Sequence, residues 1–202
     1  MNREGAEQLL GEFHVPLHVR AHSLKVAKIS YFLAQKLSEA GEIIDPETVW
    51  IAGMVHDFMR IVDFNTTPKE GGTEEDRMIW EELRKSYSGH HADVGAEILE
   101  ERGEKALAKI IRKHKYEAIL SDPPRTWEEK LLYYADKRVA HDQIVSLSER
   151  LEEGRRRHFP GKPLDNEEEK RRKAIHALEK EIFDRIEMNP EALAGALGEF
   201  ID

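Results

Sequence analysis

The chain has 202 residues, no cysteine, ten histidines and a formal net charge of −9. That length suffices for one substantial core and does not demand two domains, and the lack of thiols excludes disulfides, thiolate zinc sites and cysteine nucleophiles. The acidic balance argues against a nucleic-acid polymer as main partner, because such binding rests on Lys and Arg neutralising phosphates. A small phosphorylated ligand at a local metal or arginine site stays open, and any metal must be held by His, Asp, Glu, backbone or water.

The pattern reads as helical nearly throughout. From Leu17 to Leu37, His22, Val26, Ile29, Leu33 and Leu37 recur at three- and four-residue spacing, one buried helical face. Pro16 suits the first turn of that helix and Gly41 lies just beyond its end. Asp45-Pro46-Glu47 reads as an N-cap with proline at the first helical position, opening a helix with Val49, Ala52, Gly53 and His56 on one side. Asn65 to Gly72 is a polar, turn-rich break, followed by a short amphipathic helix around Glu74–Lys85 anchored by Met78, Ile79 and Leu83. Insertions of this kind are usually functional lids or disordered.

Next come helices from about His91 to Arg102, with Val94, Ile98 and Leu99 inward, and from Lys105 to Tyr116, burying Leu107, Ile110, Ile111 and His114. Asp122-Pro123-Pro124 ends that segment. Thr126-x-x-Glu129 resembles a capping box, predicting a long helix through about Glu152. Gly154, the run Arg155-Arg156-Arg157-His158 and Pro160-Gly161 read as a loop. Glu167 to Glu187 is a charged helix with the narrow apolar stripe Ile175, Leu178, Ile182 and Ile186, and a short closing helix follows Pro190. The stripe suits packing on the chain's own core or a homo-oligomer contact. No strand alternation is visible. No apolar run reaches bilayer length and the charged N-terminus has no signal-peptide core, so a soluble cytoplasmic protein without membrane contact is expected.

Against this background several polar residues fall on apolar faces. His22 heads the Val26-Ile29-Leu33 stripe, and His56-Asp57 ends the apolar run Val49–Val55. His91 opens a helix, His114 follows Ile110 and Ile111 by four and three residues, and Asp136 lies in Leu131-Leu-Tyr-Tyr-Ala-Asp136. Any one of them is explained by a core hydrogen bond or an ion pair. Five helices each turning His or Asp inward is different, because isolated buried polar groups are costly and a shared cation neutralises them together.

This arrangement resembles the HD superfamily of metal-dependent phosphohydrolases, whose pattern is an isolated His, an apolar run into His-Asp, and a distal Asp. The matching residues are His22 in Ala21-His-Ser-Leu, His56-Asp57 in Ala52-Gly-Met-Val-His-Asp, and Asp136 in Tyr134-Ala-Asp-Lys137, with His91 and His114 at the two extra histidine positions of one subset. The resemblance covers roughly residues 14 to 150. Phe58-Met59 stands where a small or glycine-containing turn is common, and Arg60 where lysine is. The resemblance implies an all-α, HD-domain-like helical bundle: one domain over 1–202, with the metal-binding core at 14–150 and a C-terminal helical extension at 151–202. It implies one or two divalent ions, with Mn, Fe, Co, Ni and Mg all compatible. His22, His56, Asp57 and Asp136 would form one site, and His91 and His114 a second bridged through Asp57. His90 competes with His91, which alone fits the His-Ala-x-x-Gly phase. Two cations about 3.5–4 Å apart activate a bridging water and clamp the oxygens of an in-line displacement at phosphorus.

The implied activity is hydrolysis of a phosphoester or phosphoanhydride of a small molecule, a nucleotide above all. The alternatives are an HD-type di-iron oxygenase, which uses a similar ligand set, and a non-catalytic metal or nucleotide sensor. Arg60 and Lys137 suit a phosphate and its developing charge, or equally a salt bridge to a ligand carboxylate. The run Arg155, Arg156 and Arg157 is a weaker candidate for a phosphate tail, the alternative being a solvated loop. His141-Asp142 reads as surface, since a helix continuing past Asp136 turns His141 about 140° away. His18 shares a face with His22 as its neighbour.

Overall fold

The computed structural model describes residues 1–68, 71–158, 160–161 and 163–201. Among them lie eleven α-helices and one two-stranded hairpin, so the all-α expectation holds. Helices α1 (Arg3–Glu12), α2 (Leu17–Glu39) and α3 (Pro46–Val55) come first. The long α2 lies along α3, the most extensive helix pair in the fold. Val26, Ile29, Leu33 and Leu37 are completely buried, as their spacing requires. Asp45 caps α3 by accepting a hydrogen bond from the Glu47 amide, 3.1 Å, with Pro46 in the first turn. Whereas the sequence suggests one inward side for α3, every residue from Ile51 to Met59 is buried. The reason is packing on several sides, since α3 also touches α1, α6 (Lys105–Arg112) and α8 (Trp127–Asp136). Gly53 makes the α2–α3 approach possible: a Cβ there would sit 2.5 Å from the Ala27 Cα.

After α3 the chain makes a 3-10 turn, Arg60–Asp63, and then α4 (Glu74–Ser86), opened by a Thr73/Asp76 capping box. Its anchor differs from expectation. Met78 is 68% exposed, and Trp80 is the buried residue. Asp76, Ile79, Trp80 and Leu83 share the inward phase, and Met78 falls between its turns. Trp80 lies against Gly72, where a Cβ would come within 2.3 Å of the indole, and donates its Nε1–H to the His14 carbonyl at 2.6 Å. His14 also pairs with Asp76 at 2.7 Å, so the segment is docked on the α1–α2 corner.

Helix α5 (His91–Glu101) packs on α6, and Gly103 takes the positive φ that closes the intervening turn. The helix expected to reach Tyr116 stops at Arg112, leaving His114 in a turn before the short α7 (Ala118–Ser121). The larger correction follows α8. The capping box at Thr126 and Glu129 is present, but α8 ends at Asp136. A hairpin follows, β1 (Val139–Ala140) against β2 (Gln143–Ile144), turned by His141 at φ 59°. A new helix, α9 (Leu147–His158), then begins behind a third capping box, Ser146 and Glu149. Gly154 and Arg155–Arg157 therefore belong to α9, where a loop was expected.

The stripe of α10 (Asn166–Arg185) packs on the chain's own core: Ile175 and Ile182 are completely buried and Leu178 nearly so. Leu193 and Leu197 of α11 (Leu193–Ile201) belong to the same apolar cluster as α1, α2 and α3. Among the described residues no helix is long and apolar enough to cross a membrane.

Candidate metal centre

Helix ends build the site. His56 and Asp57 follow the last residue of α3, His91 is the first residue of α5, His114 follows α6, and Asp136 ends α8; His22 alone comes from a helix interior. Helix termini leave backbone carbonyls without intrahelical partners, and two of these hold imidazoles. His56 donates its Nδ1–H to the Gly53 carbonyl at 2.8 Å, and His114 donates to the Ile111 carbonyl at 2.5 Å. The His22 Nδ1–H reaches the His141 carbonyl at 3.0 Å, across from the hairpin. The His91 Nδ1–H is held by the Asp63 carboxylate, which also accepts from the His91 amide at 3.0 Å. A carbonyl or carboxylate can only accept, so each bond puts a proton on Nδ1 and turns Nε2 inward, where a metal would take its lone pair.

Those lone pairs converge on two carboxylates. His22 Nε2 lies 3.1 Å and His56 Nε2 3.8 Å from Asp136 Oδ1. Asp57 reaches both halves of the cluster. Its Oδ2 is 3.7 Å from His56 Nε2, and its Oδ1 is 2.8 Å from His91 Nε2 and 3.5 Å from His114 Nε2. His22, His56 and Asp136 offer ligand atoms all within 4.8 Å of one another, as do His56, Asp57 and His114. His91, not His90, enters this centre. His90 caps α5, its ring accepting from the Ala92 amide at 3.2 Å, and stacks on His91 at the rim with ring centroids 4.3 Å apart.

The electrostatics suit a cation. Burial alone would raise Asp57, but the His56 and His91 imidazoles outweigh it and hold the carboxyl well below its ordinary range. At Asp136 burial is again opposed, chiefly by the Lys137 ammonium and then by His22 and His56, with the same net result. Burial pushes His114 down to about 4; its bond to Asp57 opposes the shift, while His56 and His91 add to it. His22 and His91 move upward, their carboxylate partners overcoming burial. Two geometric observations test the fit to a metal. The buried His56 Nε2 has no hydrogen-bond partner. His91 Nε2 and His114 Nε2 face each other at 2.9 Å, an approach that two bare lone pairs cannot make, so a proton or a metal cation must stand between or beside them. Four imidazole nitrogens and two carboxylate groups match the donor preferences of divalent ions of intermediate hardness.

The centre forms the floor of a cavity of about 960 Å³. Arg60 and Lys137 both line it. Arg60 is bonded to Asp63 at 3.2 Å, and the buried Lys137 donates to Asp136 Oδ2 at 2.7 Å and to the His114 carbonyl at 2.9 Å. Each therefore makes the carboxylate contact that was the alternative to phosphate, Lys137 to a centre residue and Arg60 to the carboxylate that orients His91. His18 lines the mouth and stacks on Phe64 at 5.9 Å. Arg155 and Arg157 line the cavity; Arg156 does not. His141 and Asp142 are exposed but also line it, contrary to the rotation argument, because the helix that argument continued has already ended at Asp136.

Sequence reading missed Asp63, which orients His91; its only signal was an acid three residues after Arg60 and six after Asp57. The unusual Phe58 is accommodated by Gly95, where a Cβ would fall 2.9 Å from the Phe58 ring, so the two residues compensate each other.

The HD domain family model matches residues 19–189, and the chain belongs to that family. HD domains bind divalent metals and are commonly metal-dependent phosphohydrolases. An uncharacterized protein of Methanocaldococcus jannaschii is similar, 30% identical over 152 residues that span 66% of this chain and 76% of the relative. No solved structure matches the chain.

Proposed function

We propose that the protein hydrolyses a phosphoester or phosphoanhydride of a small phosphorylated molecule, a nucleotide above all, with one or two divalent cations held by His22, His56, Asp57, His91, His114 and Asp136. The observation that carries this reading is the convergence of four Nε2 lone pairs, each fixed by an Nδ1 bond on its outer side, at the floor of a ligand-sized cavity. When bound, the cation lowers the pKa of water and offsets charge on a phosphoryl group. The protein's own residues do the rest. Asp57 joins the two halves of the centre through its two oxygens. Lys137 is a positioning residue, fixing Asp136 and the His114 turn from below. Arg60 is the guanidinium at the cavity edge beside His91, placed to take a phosphoryl oxygen as charge develops. Asp63, by holding His91, keeps the lone pair aimed inward.

Phosphate release from nucleoside mono-, di- and triphosphates, cyclic nucleotides and dinucleoside polyphosphates, with Mn, Fe, Co, Ni or Mg supplied, tests this reading. Metal-dependent release from at least one class is expected. Substrate-dependent oxygen consumption with iron and no phosphate release would favour an oxygenase. Saturable nucleotide binding without product under every metal would favour a sensor.

A further inference from the structure

The cavity is larger than one phosphate requires, lying at the upper end of the roughly 300–1,000 Å³ range of pockets for drug-sized ligands. Its wall away from the centre is α9, which turns three arginines and no acidic residue toward the cavity. Arg150, Gly154 and Arg157 follow i, i+4, i+7 spacing, and with Arg155 they line the cavity. Glu152, Glu153 and Arg156 line a separate surface depression, which Arg157 borders as well. The two glutamates nevertheless hold the arginines. Glu153 accepts from Arg150 at 2.8 Å and from Arg157, while Glu152 accepts from Arg155 at 2.6 and 3.0 Å. Arg150 is further fixed by the Val139 carbonyl at 2.8 Å. Arg150 and Arg155 thus stand on the cavity side and Arg157 at its edge, while their counter-carboxylates line the other depression. Glu168, the acidic residue of α10 that also faces the cavity, is bonded to Tyr116 at 2.7 Å and to Arg172 at 3.2 Å.

Gly154 fits the same picture. A glycine inside a helix is less favourable than alanine, and nothing in the fold demands one here, since a Cβ would make only an ordinary 3.5 Å contact with Arg150 Nη1. Its effect is to leave the middle of the arginine-lined face open.

We infer that Arg150, Arg155 and Arg157 form a subsite for a second phosphate of the substrate, beside the one attacked at the metal centre. The substrate class becomes a nucleotide-sized molecule with two phosphates, and this rests on the phosphohydrolase reading above. Guanidinium groups are favoured partners of phosphate oxygens, each carrying five N–H donors on a charge that stays in place at any working pH.

The test compares the full-length wild type, Arg155→Gln/Arg157→Gln and Arg156→Gln on adenosine 3′,5′-bisphosphate, ADP and 5′-AMP with Mn²⁺. Wild type is expected to show a KM about tenfold or more lower for one of the two-phosphate compounds than for AMP. The double variant is expected to lose that preference and Arg156→Gln to keep it. No preference in wild type, or its retention in the double variant, overturns the subsite. Calorimetric titration of the same compounds into the chain in EDTA separates this from failure of hydrolysis itself. Tighter binding of a two-phosphate compound to wild type than to the double variant supports the subsite even if no phosphate is released, and equal binding overturns it.

Discussion

Asp57→Asn is expected to abolish hydrolysis and to lower divalent-cation affinity by more than about 100-fold, the upper end of what changes to groups behind metal ligands already produce. The substitution keeps shape and removes the charge, replacing one acceptor oxygen with a donor NH₂. Both oxygens of Asp57 are in use: Oδ1 faces His91 and His114, and Oδ2 faces His56. In either orientation the amide leaves one half without an acceptor: its NH₂ donates to imidazole lone pairs that would otherwise serve the cation, or it points at the cation itself. The helical circular dichroism spectrum is expected to persist, so the loss is chemical and not a failure to fold. Wild-type turnover in this variant would remove Asp57 from the proposed machinery.

Gly53→Ala is expected to destabilise the protein by about 1–3 kcal/mol or more, the cost of overpacking a core. Helix propensity alone gives the opposite sign, since Gly→Ala inside a helix ordinarily gains roughly 0.5–1 kcal/mol. Sterics decide. The new methyl would lie 2.5 Å from the Ala27 Cα and 2.8 Å from its nitrogen, and backbone cannot swing aside as a side-chain tip can. The only relief is to part α2 from α3, and these helices carry His22 and His56. Because the Gly53 carbonyl also anchors the His56 ring, metal affinity should fall along with the melting temperature. Gly11→Ala in α1 is the matched control: nothing lies within 4 Å of its added Cβ, and a small stabilisation is expected. Chemical denaturation of the pair reads the sign directly, and a stabilised Gly53→Ala would contradict the tight α2–α3 approach.

The long helices were legible because their apolar spacing is set by burial on one face, as at Val26, Ile29, Leu33 and Leu37. So was the convergence of His22, His56, Asp57, His91, His114 and Asp136, since polar residues stood in the phase of buried ones. Legibility failed where local signals are short. Two-residue strands have no periodicity, so the hairpin at 139–144 was read as helix. One signal was available: Ser146-x-x-Glu149 is a helix start, and it implies that the preceding helix has already ended. Missing it displaced His141, Asp142 and the arginines of α9 together. Trp80 was missed for another reason. Met78 and Trp80 are both apolar, but Trp80 shares the phase of Ile79 and Leu83 and Met78 does not, a weak signal over so short a helix that the contacts with Gly72 and His14 make plain. Asp63 had no pattern of its own, because its role depends on the 3-10 turn that brings it to His91.

The central claim is that one cluster of four imidazoles and two carboxylates holds divalent metal. Calorimetric titration of EDTA-stripped, full-length protein with Mn²⁺ tests it most directly. Saturable uptake of one or two ions per chain, abolished or strongly weakened in Asp57→Asn, is the expected result. An absence of saturable binding by the folded wild type, or equal binding by wild type and variant, would contradict it.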